Sequence, residues 1–319
     1  MRCRPVFHPA YRGWIGAGRR RPALWRVLLG IVIIALCWSL TALAVFVIAD
    51  AVRLATTRGD ELGEILANWV AAGGPQMNSI WVIEPELAGL LVVASFSGIW
   101  LGVWITLRLL HRRHLASVLA APGRWHWRDY AIGFAIALGF FVFSLFGFLI
   151  AGENLPFSLG GVAAWGWALV PLFLLVGVQA CGEELLLRGY LQQQLATRCR
   201  NPLIWLGVPS LLFGLLHWQP GLQGIAYIAV TTIFGLAAGV IVWRTGSLAG
   251  AMGLHHANNM LNFTLTGPHG MAESLRSGGG QIDAAAFAAS GLLFLALLVL
   301  VLSRWSPFNP VPRGARVLR

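Results

Sequence analysis

The sequence predicts an all-α, polytopic integral membrane protein with about eight transmembrane helices and both termini cytoplasmic. Three observations carry this. The 319 residues are 57% apolar and only 11% charged, with a mean hydropathy of +0.72, a balance found in chains that cross a bilayer repeatedly. The apolar residues fall into long runs separated by polar loops. All 23 basic side chains are Arg; the eight-span arrangement puts 20 of them inside and nine of the 12 acidic residues outside, as the positive-inside rule requires. The net charge of +11 does not point to nucleic acid, because the arginines cluster between apolar runs and form no continuous face. The four cysteines show no zinc-knuckle or disulfide spacing.

The elements follow in order. Residues 1–26 form a basic, irregular cytoplasmic segment, and Val27–Ala49 is the first span, long enough to cross and without a small-residue cleavage site after it. Asp50–Glu86 is an acidic outer loop broken by Gly73-Gly74-Pro75, with a short interfacial helix expected over Asp60–Val70. Leu87–Leu110 is the second span, and its Gly98 and Gly102 offer a small-xxx-small packing face. The basic loop that follows holds His111 and His114, expected at the surface. Residues 27–128 therefore make up two additional helices and their loops.

Residues 129–266 form the core: spans Asp129–Ala151, Val162–Leu187, Pro202–His217, Gln223–Trp243 and Leu248–Thr266, with Gly235 and Gly239 at packing spacing in the fourth of these. Residues 267–303 supply an outer Gly-rich loop and a last span, Ala284–Leu302, and residues 304–319 a basic, disordered cytoplasmic tail. Tryptophans 125, 127, 165, 167, 205, 218 and 243 are assigned to interfacial belts.

Three core spans carry polar groups that an apolar helix does not otherwise tolerate. Val162 to Val178 contains no charge, yet Glu183 and Glu184 follow directly. Ionised groups at bilayer depth cost at least about 2–3 kcal/mol each and usually mark function. Glu184 and Arg188 stand four apart in the favourable acid-then-base order and share a helical face. Glu183 points about 100° away, with no evident partner. Downstream come Phe213-x-x-x-His217 and His255-x-x-x-Asn259, each pair on one face, with His256, Asn258 and Asn262 nearby. Glu183 and His217 are each 17 residues from Arg200, so a helical hairpin sets them level, roughly 25 Å from its turn at 1.5 Å per residue. Taken singly, such a pair is more often an ion-paired helix end or a packing histidine; it is the three together that suggest chemistry.

The ordered set Glu183-Glu184-x-x-x-Arg188-Gly189, Phe213-x-x-x-His217 and His255-x-x-x-Asn259 resembles the three motifs of the CPBP family of intramembrane proteases, related to CAAX-processing endopeptidases and bacteriocin-immunity proteins. The resemblance covers about residues 129–266, with Leu187 where members often have Phe. It implies peptide-bond hydrolysis on a membrane-associated protein or peptide within lipid. Glu183 would be the general base toward a water, His217 would hold that water, His255 and Asn259 would donate to the oxyanion, and Glu184 with Arg188 would set the helix end.

No cofactor is expected. Zinc held by Glu183, His217 and His255 is the alternative, since two histidines and a carboxylate make an acceptable set, although no His-Glu-x-x-His occurs. The competing functions are a non-catalytic scaffold or bacteriocin-immunity protein, and an ion-coupled transporter using Glu183 and Glu184; no inverted repeat with paired helix breaks supports the latter. The expected location is a bacterial inner (plasma) membrane, with the site toward the cytoplasm.

Overall fold

The computed structural model describes residues 9–58, 71, 84–151, 159–219, 222–277 and 284–308. Among them no strand forms; the only sheet-like feature is a bridge between Ala120 and Ser247. The helices are α1 (Pro9–Gly16), α2 (Leu24–Arg58), α3 (Pro85–His111, bent after Ala94), α4 (Trp127–Ala151), α5 (Gly166–Ala196), α6 (Leu203–Leu216), α7 (Leu222–Thr245), α8 (Ala249–Ser277) and α9 (Ala284–Leu302).

Five of these, in α2, α3, α4, α5 and α7, are long and apolar enough to cross a membrane. The other three expected spans are helical, and two of them fall short of that measure for physical reasons. α6 has 14 residues, about 21 Å at 1.5 Å per residue, against a hydrocarbon core of about 30 Å. α8 is diluted by two histidines and three asparagines before it breaks at Gly267 (φ 74°), ahead of Pro268. The described apolar part of α9 is Ala289–Leu302. The interfacial helix expected at Asp60–Val70 lies outside the described residues.

Glycines set the closest crossings. A Cβ on Gly98 would stand 2.6 Å from the Cys37 carbonyl oxygen, and one on Gly102 would stand 2.6 Å from Ile34 Cα, so the expected small-residue face does seat α2 on α3. Thr41 Oγ1 donates to the Ser95 carbonyl at 2.7 Å, where α3 bends. Gly235 and Gly239 of α7 face Ser210 and Arg188, and Leu206 and Gln192, respectively. A third crossing, unexpected, sets Gly133 of α4 2.8 Å from Leu254 N and Gly253 of α8 2.8 Å from the Tyr130 carbonyl carbon, measured from an added Cβ.

The two ends of the chain correct the sequence reading. Residues 9–20 are helical, and Tyr11, Trp14 and Ile15 are fully buried. Trp14 Nε1 donates to the Val118 carbonyl at 3.1 Å, and the Gln193 and Gln192 amides donate to the Trp14 carbonyl and Tyr11 hydroxyl at 3.0 and 3.2 Å. These three residues stand at i, i+3 and i+4 on one face, and the end of α5 covers it. Phe308, in the tail expected to be disordered, is also fully buried, against Gly250. His111 is buried rather than on the surface, with Nε2 3.1 Å from the Tyr190 hydroxyl. Trp165 and Trp205 are buried too, whereas Trp127, Trp167 and Trp218 are exposed as a belt requires.

Candidate active site

α5 changes its winding where the carboxylates stand. Leu169–Glu184 is α-helical and Leu185–Gln192 is π-helical, a wider winding with i→i+5 bonds that is often found at functional sites. Arg188 Nη1 donates to Glu184 Oε1 at 2.7 Å, with both side chains fully buried. The guanidinium carbon lies 4.7 Å from the centre of the Phe213 ring, whose quadrupole attracts a cation. The expected Glu184–Arg188 pair is present.

The same carboxylate oxygen receives a second bond, from His255 Nδ1 at 2.9 Å. Glu184 therefore does more than end a helix: it fixes the imidazole. Glu183, expected to lack a partner, has one in Gln179, whose Nε2 donates to Glu183 Oε1 at 2.6 Å. Gln179 Oε1 accepts from Asn259 Nδ2 at 2.9 Å, and Asn259 Nδ2 lies 3.1 Å from His255 Nε2.

These contacts form one chain whose direction is set from its ends. A carboxylate only accepts, so Gln179 must turn its NH₂ toward Glu183 and its oxygen toward Asn259. Asn259 must then present its own NH₂, which makes His255 Nε2 an acceptor. The proton of a neutral His255 consequently sits on Nδ1, where it is donated to Glu184. Gln179 was not singled out by the sequence reading, although its position four residues before Glu183 places it on that residue's face.

Glu183 is the accessible carboxylate. Its side chain is 15% exposed against 0% for Glu184; the Oε2 of each lacks a hydrogen-bond partner, and that of Glu183 lies 3.7 Å from His255 Nε2. His217 is set apart from this network. Its Nδ1–H donates to the Phe213 carbonyl at 2.8 Å, which leaves Nε2 of the neutral ring with a lone pair. Phe213 stands between the histidines, 4.5 Å from the His217 ring and 5.5 Å from that of His255; the two imidazoles are thus no more than about 10 Å apart, centre to centre. The structure brings Glu183, Glu184, Arg188, His255 and Asn259 into direct contact and His217 to their edge.

The two expected oxyanion donors are already engaged. Both N–H groups of Asn259 are engaged, by Gln179 and by His255, and the His255 proton is engaged by Glu184, so neither residue offers a free oxyanion donor in this arrangement. The zinc set does not assemble. Both His255 nitrogens and one His217 nitrogen are already bonded, and among the described residues no three His, Cys, Asp or Glu side chains converge with metal-binding geometry. His256 is structural, held by the Tyr130 hydroxyl at Nδ1 and by the Phe173 carbonyl, 2.9 Å from Nε2. Asn258 supports the site by donating to Asn259 Oδ1 at 3.2 Å, and Asn262 donates to the Asn258 carbonyl.

Comparison with known proteins falls on this same stretch. Residues 164–261 match the Rce1-like family, described as type II CAAX prenyl endopeptidase Rce1-like. A Bacillus subtilis (strain 168) protein, named uncharacterized protein YyaK, is 30% identical over 167 residues, which are 50% of this chain and 54% of that protein. The match thus spans about half the length of that relative. No solved structure matches. All three motifs, from Glu183 to Asn259, lie inside the matched segment, so the resemblance read from them holds.

Proposed function

We propose that this membrane protein, Rce1-like over residues 164–261, is an intramembrane endopeptidase that hydrolyses membrane-associated peptides with a water activated by Glu183. The observation that supports this most is the contrast between the two carboxylates. Glu184 is fully buried and its Oε1 takes both the Arg188 guanidinium and His255, whereas Glu183 is partly exposed and its Oε1 takes only the neutral amide of Gln179; the Oε2 of each has no hydrogen-bond partner. One is fixed as a counter-charge; the other is aimed and left able to take a proton.

In this scheme Glu183 Oε2 removes a proton from a water that His217 Nε2 orients by accepting its other hydrogen. The oxygen attacks the peptide carbonyl, and the tetrahedral oxyanion draws one N–H of Asn259 away from His255 Nε2, the longer of its two bonds. Glu183 then returns the proton to the leaving amine as the C–N bond breaks, giving a carboxylic acid, which keeps the water's second hydrogen, and an amine. Holding the Arg-rich loops in the cytoplasm, as the positive-inside rule favours, sets the site toward that side. The decisive experiment is cleavage of membrane proteins in cells carrying the wild type or Glu183→Gln: a product that needs the carboxylate is expected, and identical products from both would refute the reading.

A further inference from the structure

A second polar cluster lies away from the carboxylates, at the Arg-rich end of the bundle, where the stretch before α2, the end of α3 and the end of α5 meet. Tyr190 marks the junction: its hydroxyl donates to the Arg26 carbonyl at 3.3 Å and lies 3.1 Å from His111 Nε2. Arg113 is buried there and donates Nη2 to Gln193 Oε1 at 2.6 Å and Nε to Ser117 Oγ at 3.1 Å. Arg198 donates Nη1 to Gln194 Oε1 at 2.9 Å and Nη2 to the Ala23 carbonyl at 3.4 Å.

The cluster is cationic throughout. The charges of Arg113, Arg198 and Arg26 bear on the His111 ring, that of Arg20 on Arg113, and those of Arg112 and Arg26 on Arg21. Among the described residues none of these arginines has a carboxylate partner; Asp129 stands beside Arg128, and Glu184 pairs with Arg188. Burial pushes Arg113 down to about 10, which leaves it charged at neutral pH. Three donors at the junction have no partner: Arg113 Nη1, Arg198 Nε and Gln194 Nε2, with Arg113 3% and Gln194 0% exposed. Leaving such groups unmatched in the interior is costly. Guanidinium forks match the oxygens of a phosphate.

We propose that this junction is a binding site for a phosphate group, carried by a lipid headgroup or free in solution. Arg113 Nη1 and Arg198 Nε are its charged donors, Gln194 Nε2 its neutral one, and Arg20, Arg21, Arg26 and Arg112 supply the surrounding field. Leu24, Trp25, Leu28 and Leu109 are exposed apolar neighbours in sequence, which sets the site beside a lipid-facing surface. A phosphate here joins three segments of the chain, one of them the helix that carries Glu183 and Glu184.

The test is thermal unfolding of the purified full chain in neutral detergent with added phosphatidylglycerol, phosphatidylcholine or inorganic phosphate, each against chloride at equal ionic strength. A saturable rise in midpoint with phosphatidylglycerol alone identifies a lipid headgroup; a rise with inorganic phosphate as well identifies the free anion as sufficient. Arg198→Gln, Arg113→Gln and Gln194→Met should each weaken the half-saturating concentration, the arginine changes about tenfold or more, while Arg128→Gln should not. If Arg113→Gln does not fold, the half-buried Arg198 and the neutral Gln194 still decide the matter. No saturable rise with either ligand, or a rise lost equally in Arg128→Gln, overturns the proposal.

Discussion

His255 donates its Nδ1 proton to the same Glu184 oxygen that Arg188 holds, at 2.9 and 2.7 Å. One buried oxygen thereby fixes a tautomer on α8 and a guanidinium on α5. Breaking a buried pair from one side leaves the other charge uncompensated, at about 3–5 kcal/mol. Glu184→Gln should therefore lower stability by roughly that amount and reduce cleavage as well, since His255 loses the charge that orients it. A thermal midpoint and a cleavage rate measured together check this; loss of rate with an unchanged midpoint would show that Glu184 has no structural role.

Glu183→Gln should behave oppositely. The side chain keeps its shape, and an amide at that position can still meet Gln179, so the midpoint should stay near that of the wild type. Removing a general base costs about 10²–10⁴ in rate, and turnover should fall by that much or more. Wild-type turnover by the variant would remove Glu183 from the mechanism.

Gln179 links the base to Asn259, and replacing it with Met keeps the volume while cutting both bonds. The expected result is a fall in kcat of about tenfold, the value of one or two hydrogen bonds to a charged group, with KM little changed. Gln179→Met and Asn259→Ala share one chain of bonds, so the double variant should lose less than the product of the single losses. Independent, multiplying losses would mean that the two residues act separately.

What could be read from the sequence was local. Glu184 and Arg188 stand at i, i+4 on one helix, as do Phe213 and His217, and the paired glycines of α3 and α7 declare their packing by spacing alone. Gln179 escaped because a neutral amide in an apolar helix has no meaning until Asn259, 80 residues later, faces it. The direction of hydrogen bonding escaped for the same reason: it is fixed only when both terminal carboxylates are in place. α1 carried a signal that was passed over, since Tyr11, Trp14 and Ile15 repeat at helical spacing within an Arg-rich segment read as irregular. The level placement of Glu183 and His217 assumed regular α-helices through the hairpin, whereas Leu185–Gln192 and Leu203–Gly207 are π-helical. Both arms are thus wound more widely than assumed, yet Phe213 meets Arg188, the two standing 13 and 12 residues from Arg200, close to level as the count implies.

The two histidines outside the main network provide a comparison. His217 has one free nitrogen at the edge of the site, whereas His256 has both engaged among Tyr130, Phe134 and Phe173. His217→Ala should cost activity with a small change in midpoint. His256→Ala should lower the midpoint, because it removes a buried ring and leaves the Phe173 carbonyl unmatched, with residual activity following the folded fraction. Equal effects of the two changes on both measurements would contradict the assignment of roles.

The last prediction concerns the surface on which Arg188 rests. A Cβ on Gly235 of α7 would stand 3.0 Å from Arg188 Nη2 and 3.0 Å from both Ser210 Cα and Ser210 Cβ. The guanidinium end can shift, but the α6 backbone at Ser210 is packed and cannot easily yield. Gly235→Ala should therefore push either α6 away or Arg188 out of line with Glu184, and both routes reach His255 through the shared oxygen. Gly139 of α4 is the control, since a Cβ there meets nothing within 4 Å. Gly139→Ala should be neutral or gain up to about 1 kcal/mol from helix propensity alone. If Gly235→Ala leaves cleavage and midpoint as unaffected as Gly139→Ala does, the packing of α7 does not control the Arg188–Glu184–His255 geometry, and the ion pair holds its place by charge alone.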